Sequence, residues 1–191
     1  KVKDRCKEMG ALLILDEIQP GFGRTGKLFA FEHFDCIPDI LVIGKGMASG
    51  LPVGAFTSSI EIMHTLSENP KMGHITTFGG NPVIAASSLA TLNVLLNSSL
   101  IEDTLKKELL FKKLLKHPKI KEIRGKGLML ALIMDTPETA NELVLQAKEK
   151  NLILFWLLFE NRAVRISPPL TITKKEIQEG CEIILALLNS L

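Results

Sequence analysis

Tyrosine is absent from the 191 residues, tryptophan occurs once (Trp156), and there are three cysteines and four histidines. Cys6, Cys36 and Cys181 are odd in number and far apart, with no CxxC and no histidine at ligand spacing. That argues against a disulfide framework or a zinc site and for reduced thiols in a cytoplasmic protein. His33, His64, His74 and His117 likewise show no metal spacing. An excess of one charge is also lacking: 23 Lys and Arg face 21 Asp and Glu, a net +2 spread along the chain without a basic stripe, so nothing supports nucleic-acid binding. No apolar run is long enough to span a membrane and no signal peptide is visible. No GxGxxG follows a strand, and Gly44-Lys45-Gly46 lacks the GxxxxGK[ST] spacing, so both nucleotide-loop readings fail.

What is present is apolar residue: 46% of the chain, enough to bury a core. Lys1 to Met9 reads as the last turns of an amphipathic helix stopped by Gly10, as if further chain preceded it. A strand from Ala11 to Leu15, the glycine-rich loop Pro20 to Gly26, a short helix from Lys27 to Phe34 and a strand from Ile40 to Ile43 follow. The run Val53 to Phe56 pairs beside these, Ser59 caps a helix through His64, and Pro82 opens a long helix to Leu96. The alternation predicts an α/β region ending near Asn97 to Ser99.

Beyond that point the pattern turns α+β. A charged helix spans Leu100 to Leu115 with Leu105, Leu109 and Leu110 spaced to face a core. A strand from Leu128 to Met134, a helix from Pro137 to Lys150 and strands from Leu152 to Leu158 and Ala163 to Ile166 come next. A last helix, Lys174 to Leu188, is capped by Thr173 with Glu176 at the capping-box position. Trp156 reads as core packing.

Two residues stand where chemistry is expected. Lys45 ends the apolar run Ile40 to Gly44 among glycines, which points its amine into a crevice; Asp16 ends the run Ala11 to Leu15. An amine and a carboxylate at two strand ends indicate a shared site at the carboxyl edge of a parallel sheet. A desolvated lysine on a flexible stem can form an imine, and pyridoxal phosphate enzymes pair such a lysine with an acid that keeps the pyridine nitrogen protonated.

The runs Leu15-Asp16-Glu17-Ile18-Gln19-Pro20-Gly21-Phe22-Gly23-Arg24-Thr25-Gly26, Pro38-Asp39-Ile40, Gly44-Lys45-Gly46 and Gly50-Leu51-Pro52-Val53-Gly54-Ala55 closely resemble the class III aminotransferases. So do Thr76-Thr77-Phe78-Gly79-Gly80-Asn81-Pro82, Arg124-Gly125-Lys126-Gly127-Leu128 and Val164-Arg165-Ile166-Ser167-Pro168-Pro169-Leu170. The resemblance covers essentially the whole chain, in the family's order. It implies a fold type I, pyridoxal phosphate-dependent transferase: residues 1–97 as the C-terminal part of the large cofactor-binding domain and 98–191 as the C-terminal small domain. By the same resemblance Lys45 holds the cofactor as a Schiff base and shuttles the proton, Asp16 pairs with the pyridinium nitrogen and Gln19 hydrogen-bonds near the ring oxygen. Thr77 reaches across a homodimer to the phosphate of the partner's cofactor, and Arg165 grips a substrate carboxylate.

The implied activity moves an amino group from an amine or amino acid to an oxo acid, 2-oxoglutarate being the expected acceptor. A decarboxylase or aminomutase of the same family, or a non-catalytic fragment acting as a dimerisation module, are the alternatives. The family's phosphate-cradling loop and ring-stacking aromatic would precede Lys1. Structural roles compete at each position: a loop cap for Asp16, loop surface for Gln19, helix entry for Thr77, a strand arginine paired to Glu160 for Arg165. For Arg24 a staple between loop segments is the preferred role. The segment Phe155-Trp156-Leu157-Leu158-Phe159-Glu160-Asn161-Arg162 is bulkier and more apolar than the one many relatives carry.

Overall fold

Two apolar segments, Ile14–Asp16 (β1) and Ile40–Gly44 (β2), run side by side as parallel strands with Ile14 opposite Ile40 and Asp16 opposite Val42. Gly54–Ser58 (β3) pairs antiparallel to β2, closing a three-stranded sheet of order β1-β2-β3. The computed structural model describes all of residues 1–191. β1 is shorter than its apolar run. The Leu13 N–H is taken by the Asp39 carboxylate at 2.7 Å, and the Leu13 carbonyl accepts from Asp39 and Ile40, so Ala11 to Leu13 is tied to a loop rather than to a ladder.

The helix expected over Lys27 to Phe34 is reduced to one 3-10 turn, Ala30–His33. Its first N–H groups are satisfied by carboxylates: Ala30 and Phe31 donate to Glu17, and Phe29 donates to Glu32. Asp35 at φ +47 then turns the chain away. Helix α1 covers Val2–Glu8, and α2 covers Ile60–Glu68, a turn beyond His64. Asn81 caps α3 (Pro82–Leu96), its side chain accepting from Val83 and Ile84, with Pro82 in the first turn.

The later residues form a separate antiparallel sheet of order β4-β5-β7-β6 from Ile120–Lys126 (β4), Met129–Met134 (β5), Phe155–Trp156 (β6) and Ala163–Ile166 (β7). Helices α4 (Leu100–Leu114), α5 (Pro137–Glu149) and α6 (Lys174–Ser190) accompany it. Leu128, Leu130, Leu132, Met134, Val164 and Ile166 pack with Leu143, Ile177, Ile184 and Leu188 in one core. α6 opens as expected: Thr173 accepts from the Glu176 N–H, and the Glu176 carboxylate accepts from Thr173.

The structure departs from expectation at four points: one strand that was not expected, and three features that come out differently. β4 escapes a hydrophobic reading because it is an edge strand in which Lys121, Glu122, Arg124 and Lys126 outnumber Ile120 and Ile123, the two residues that pack against the core. The strand expected over Leu152 to Leu158 narrows to two residues, since the Leu152 N–H bonds back to the Ala147 carbonyl at the end of α5. In α4 the buried residues are Thr104, Glu108 and Phe111; Leu110 packs against the core as expected, whereas Leu105 and Leu109 are exposed, Leu109 at 68%. Glu108 can be buried because its carboxylate accepts from the Gly127 N–H at 2.6 Å and pairs with Lys112 at 2.5 Å. Trp156 is also not core; it is 45% exposed on the edge strand.

The chain divides into two compact units, one made of Lys1–Gly23 and Lys27–Ser98, the other of Arg24–Gly26 and Ser99–Leu191. No single helix is long and apolar enough to cross a membrane.

Candidate active site

In the first unit the parallel pairing of β1 and β2 brings their carboxyl ends to one edge, with Asp16 ending one strand and Lys45 following the other. Lys45 begins a 3-10 turn, Lys45–Ala48, and its own φ is +40. A side-chain-bearing residue in that left-handed region is strained by roughly 1–2 kcal/mol, a cost that persists where surrounding contacts dictate the conformation. Those contacts come from α3. Ser87 Oγ donates to the Ala48 carbonyl at 2.9 Å and Thr91 Oγ1 donates to Ser49 Oγ at 2.9 Å, pinning the turn to the helix. The Lys45 side chain does not enter a crevice of this unit; it is exposed. An apolar run before a residue reports burial of the strand, not of the side chain beyond its end.

Asp16 is exposed, and its Oδ1 accepts from the Ile18 N–H at 2.9 Å, which sets the carboxylate at the start of the loop. Its neighbour Glu17 points inward, 2% exposed, and organises the loop by accepting from Ala30 at 2.9 Å and Phe31 at 2.8 Å. Successive strand residues face opposite ways, so adjacent acids at a strand end divide into one free and one structural. The sequence carries that signal, but which acid is which depends on the core. Gln19 is exposed in the turn that follows, and Thr77 is exposed in the loop before α3.

Arg165 belongs to the second unit, on β7, with Ala131 opposite it on β5 and Phe155 opposite it on β6. It does not pair with Glu160. That carboxylate is held by Arg162, which donates Nε to Oε1 and Nη2 to Oε2 at 3.1 Å each. The Arg165 guanidinium lies instead over the Phe155 ring, 5.4 Å from its centroid. Arg24 is the staple: its Nη1 donates to the carbonyls of Leu128 and Pro168. Burial pushes the Arg24 guanidinium below its ordinary pKa, and the nearby Arg165 cation adds to the effect. Beside these residues Phe155, Arg165, Pro168, Ile172 and Ile184 help line a cavity of about 350 Å³.

This arrangement can be set beside known proteins. The family model for class III aminotransferases matches residues 1–188. The chain belongs to this family. Among similar class III proteins, the acetylornithine aminotransferase of Caldanaerobacter subterraneus is 39% identical over 196 residues, covering 100% of this chain and 48% of that protein. The putrescine aminotransferase of Pectobacterium atrosepticum is 41% identical over 182 residues, covering 92% of this chain and 39% of that one. A solved structure of the ornithine aminotransferase of Toxoplasma gondii, with partial occupancy of pyridoxal phosphate at its active site, is 33% identical. It superimposes with a TM-score of 0.87 over 98% of this chain and 45% of its own. The class III chain described here thus spans half or less of the length of these relatives. The fold is that of the pyridoxal phosphate-dependent aminotransferases, a mixed α/β architecture.

Proposed function

We propose that this chain carries the lysine, the acid and the carboxylate-binding arginine of a pyridoxal phosphate-dependent aminotransferase. On this reading residues 1–97 are part of the large cofactor-binding domain and 98–191 the small domain. The observation that carries it is the strained Lys45, held at φ +40 at the same sheet edge as the exposed carboxylate of Asp16. The donor set suits the cofactor's ring and carbonyl ends: an exposed amine for the aldehyde carbon and an exposed acid, fixed by Ile18, for the pyridine nitrogen. At the phosphate end the chain offers less. The first N–H groups of α3 are already bonded to Asn81, which leaves the hydroxyl of Thr77.

When bound, the cofactor supplies an electron sink that makes the substrate's α-proton removable. The chain's own residues do the rest. Asp16 keeps a proton at the pyridine nitrogen, Gln19 hydrogen-bonds the ring's oxygen side, and Lys45 Nζ accepts and returns the substrate proton. Thr77 donates to a phosphate across a homodimer, and Arg165 orients a substrate carboxylate through its two-pronged fork. The amino group passes to an oxo acid, with 2-oxoglutarate, a dicarboxylate, as the acceptor. The exposure of Lys45 favours a second reading, a chain that assembles with a partner copy without turning over.

One experiment separates them. The chain is incubated with pyridoxal phosphate, reduced with borohydride and digested for mass spectrometry. The enzyme reading requires a pyridoxyl group on Lys45 Nζ, abolished by Lys45→Ala and weakened by Asp16→Asn. Scattered labelling of surface lysines, unchanged in Lys45→Ala, defeats it.

A further inference from the structure

Arg165 faces an unusual environment for an arginine whose charge is to be used. None of the chain's ion pairs includes it, and the acid nearest in sequence, Glu160, is spent on Arg162. The neighbouring cation Arg24 is fixed by backbone carbonyls. A long, flexible side chain with no anionic partner and a like charge nearby would sample many rotamers, and each carboxylate it bound would have to order it again.

Phe155 removes that freedom. β6 and β7 place Phe155 directly across from Arg165, and residues opposite one another on adjacent strands share a face. The Arg165 guanidinium lies over the ring at 5.4 Å from the centroid, within cation–π range. The ring attracts the guanidinium through its negative face and is not a conventional hydrogen-bond acceptor, while the five N–H donors lie in the guanidinium plane. The contact therefore restrains the arginine and leaves donors for a carboxylate. Phe155 itself is 52% exposed, so a large ring is left at the surface where core packing does not demand it.

We infer that Phe155 is the positioning residue for Arg165, its ring restraining the guanidinium so that the fork is kept for a substrate carboxylate. The inference rests on the reading of Arg165 as the carboxylate arm. Glutarate binding to the full chain, measured by calorimetry, tests the two separately. Arg165→Ala abolishes binding if the arginine is the arm. Phe155→Ala and the apolar but non-aromatic Phe155→Leu then weaken it about three- to fivefold, while Phe155→Tyr and Phe155→Trp stay within about twofold of the parent. The Arg165 Nε–H resonance, identified by its loss in Arg165→Lys, shows an upfield ring-current shift that disappears in Phe155→Leu and survives in Phe155→Tyr. If Phe155→Leu binds as the parent does, or the Nε–H resonance does not move, the positioning role is overturned while the Arg165 reading stands. Absence of glutarate binding in the parent, or binding untouched by Arg165→Ala, overturns both.

Discussion

The two units of this chain bury their apolar residues very differently. In the second, β5, β7 and the helices α5 and α6 close on a continuous core, and nearly every buried hydrophobic side chain of the protein lies there. In the first, only Phe22, Leu41, Ala48 and Leu95 are buried hydrophobics. Helix α3 is apolar all round, yet Val83, Leu89, Val94 and Leu96 are exposed, as is Ile14 on the edge strand β1. An all-round apolar helix is ordinarily a buried one. The second unit thus closes a core of its own, and the first leaves apolar side chains of α3 and β1 at its surface. The proposed ring and carbonyl donors sit in the less buried unit and the carboxylate arm in the better packed one.

Mutations can break that contrast. Leu132→Ala, at a position with 0% exposure in the second core, is expected to cost about 2–5 kcal/mol in urea unfolding, while Leu89→Ala on α3 stays within about 0.5 kcal/mol. Equal losses would mean that the two units are equally packed. Gly127→Ala comes next. Gly127 has φ +62, and an added Cβ would meet the Arg24 carbonyl oxygen at 2.5 Å and the Thr25 Cα at 2.7 Å, backbone that cannot swing aside. A loss of about 1–3 kcal/mol, seen as a lower urea midpoint, is expected.

Thr173→Ala removes the α6 cap and should lower stability by about 1 kcal/mol at neutral pH. The Glu176 carboxylate is held below its ordinary range by the Thr173 N–H and then by its hydroxyl. A depressed carboxylate contributes above its unfolded pKa and ceases to contribute as pH falls through its folded one. The difference between parent and variant therefore shrinks in acid, which a pair of urea titrations would reveal.

Thiol labelling gives the smallest signal and the most local one. Cys6 and Cys36 are half-buried and should react in the native protein, whereas Cys181 is 1% exposed. Burial, with the charge of Glu182 adding, pushes the Cys181 thiol up to about 12, so it should label only as the second unit opens. Its thiol form favours the fold at neutral pH, a contribution lost as pH rises toward that value. Prompt native labelling of all three would erase the distinction between the units.

Much of this was legible in order along the chain. Lys45 and Asp16 at strand ends, Pro82 opening α3, and the Thr173–Glu176 box are local signals, each written within a few residues. Glu108 was not legible, because its burial is made acceptable by Gly127, 19 residues away. Nor was the exposure of Lys45, which lies beyond the end of its strand, or of Trp156, whose apolar neighbours Ile153, Phe155 and Leu158 are exposed with it, because an apolar run does not say what packs on it.

Residue order alone carried the family, most of the elements that bear its motifs, the parallel edge shared by Asp16 and Lys45 and the kinds of group available for chemistry, because local propensity and residue type act over a turn or a strand. Packing settled what no short segment carries: that Glu17 and not Asp16 turns inward to Ala30 and Phe31, and that Arg165 lies over Phe155 while Arg162 holds Glu160. Those outcomes follow from strand register and from competition among acids for nearby donors, which are properties of the packed molecule and not of any short segment.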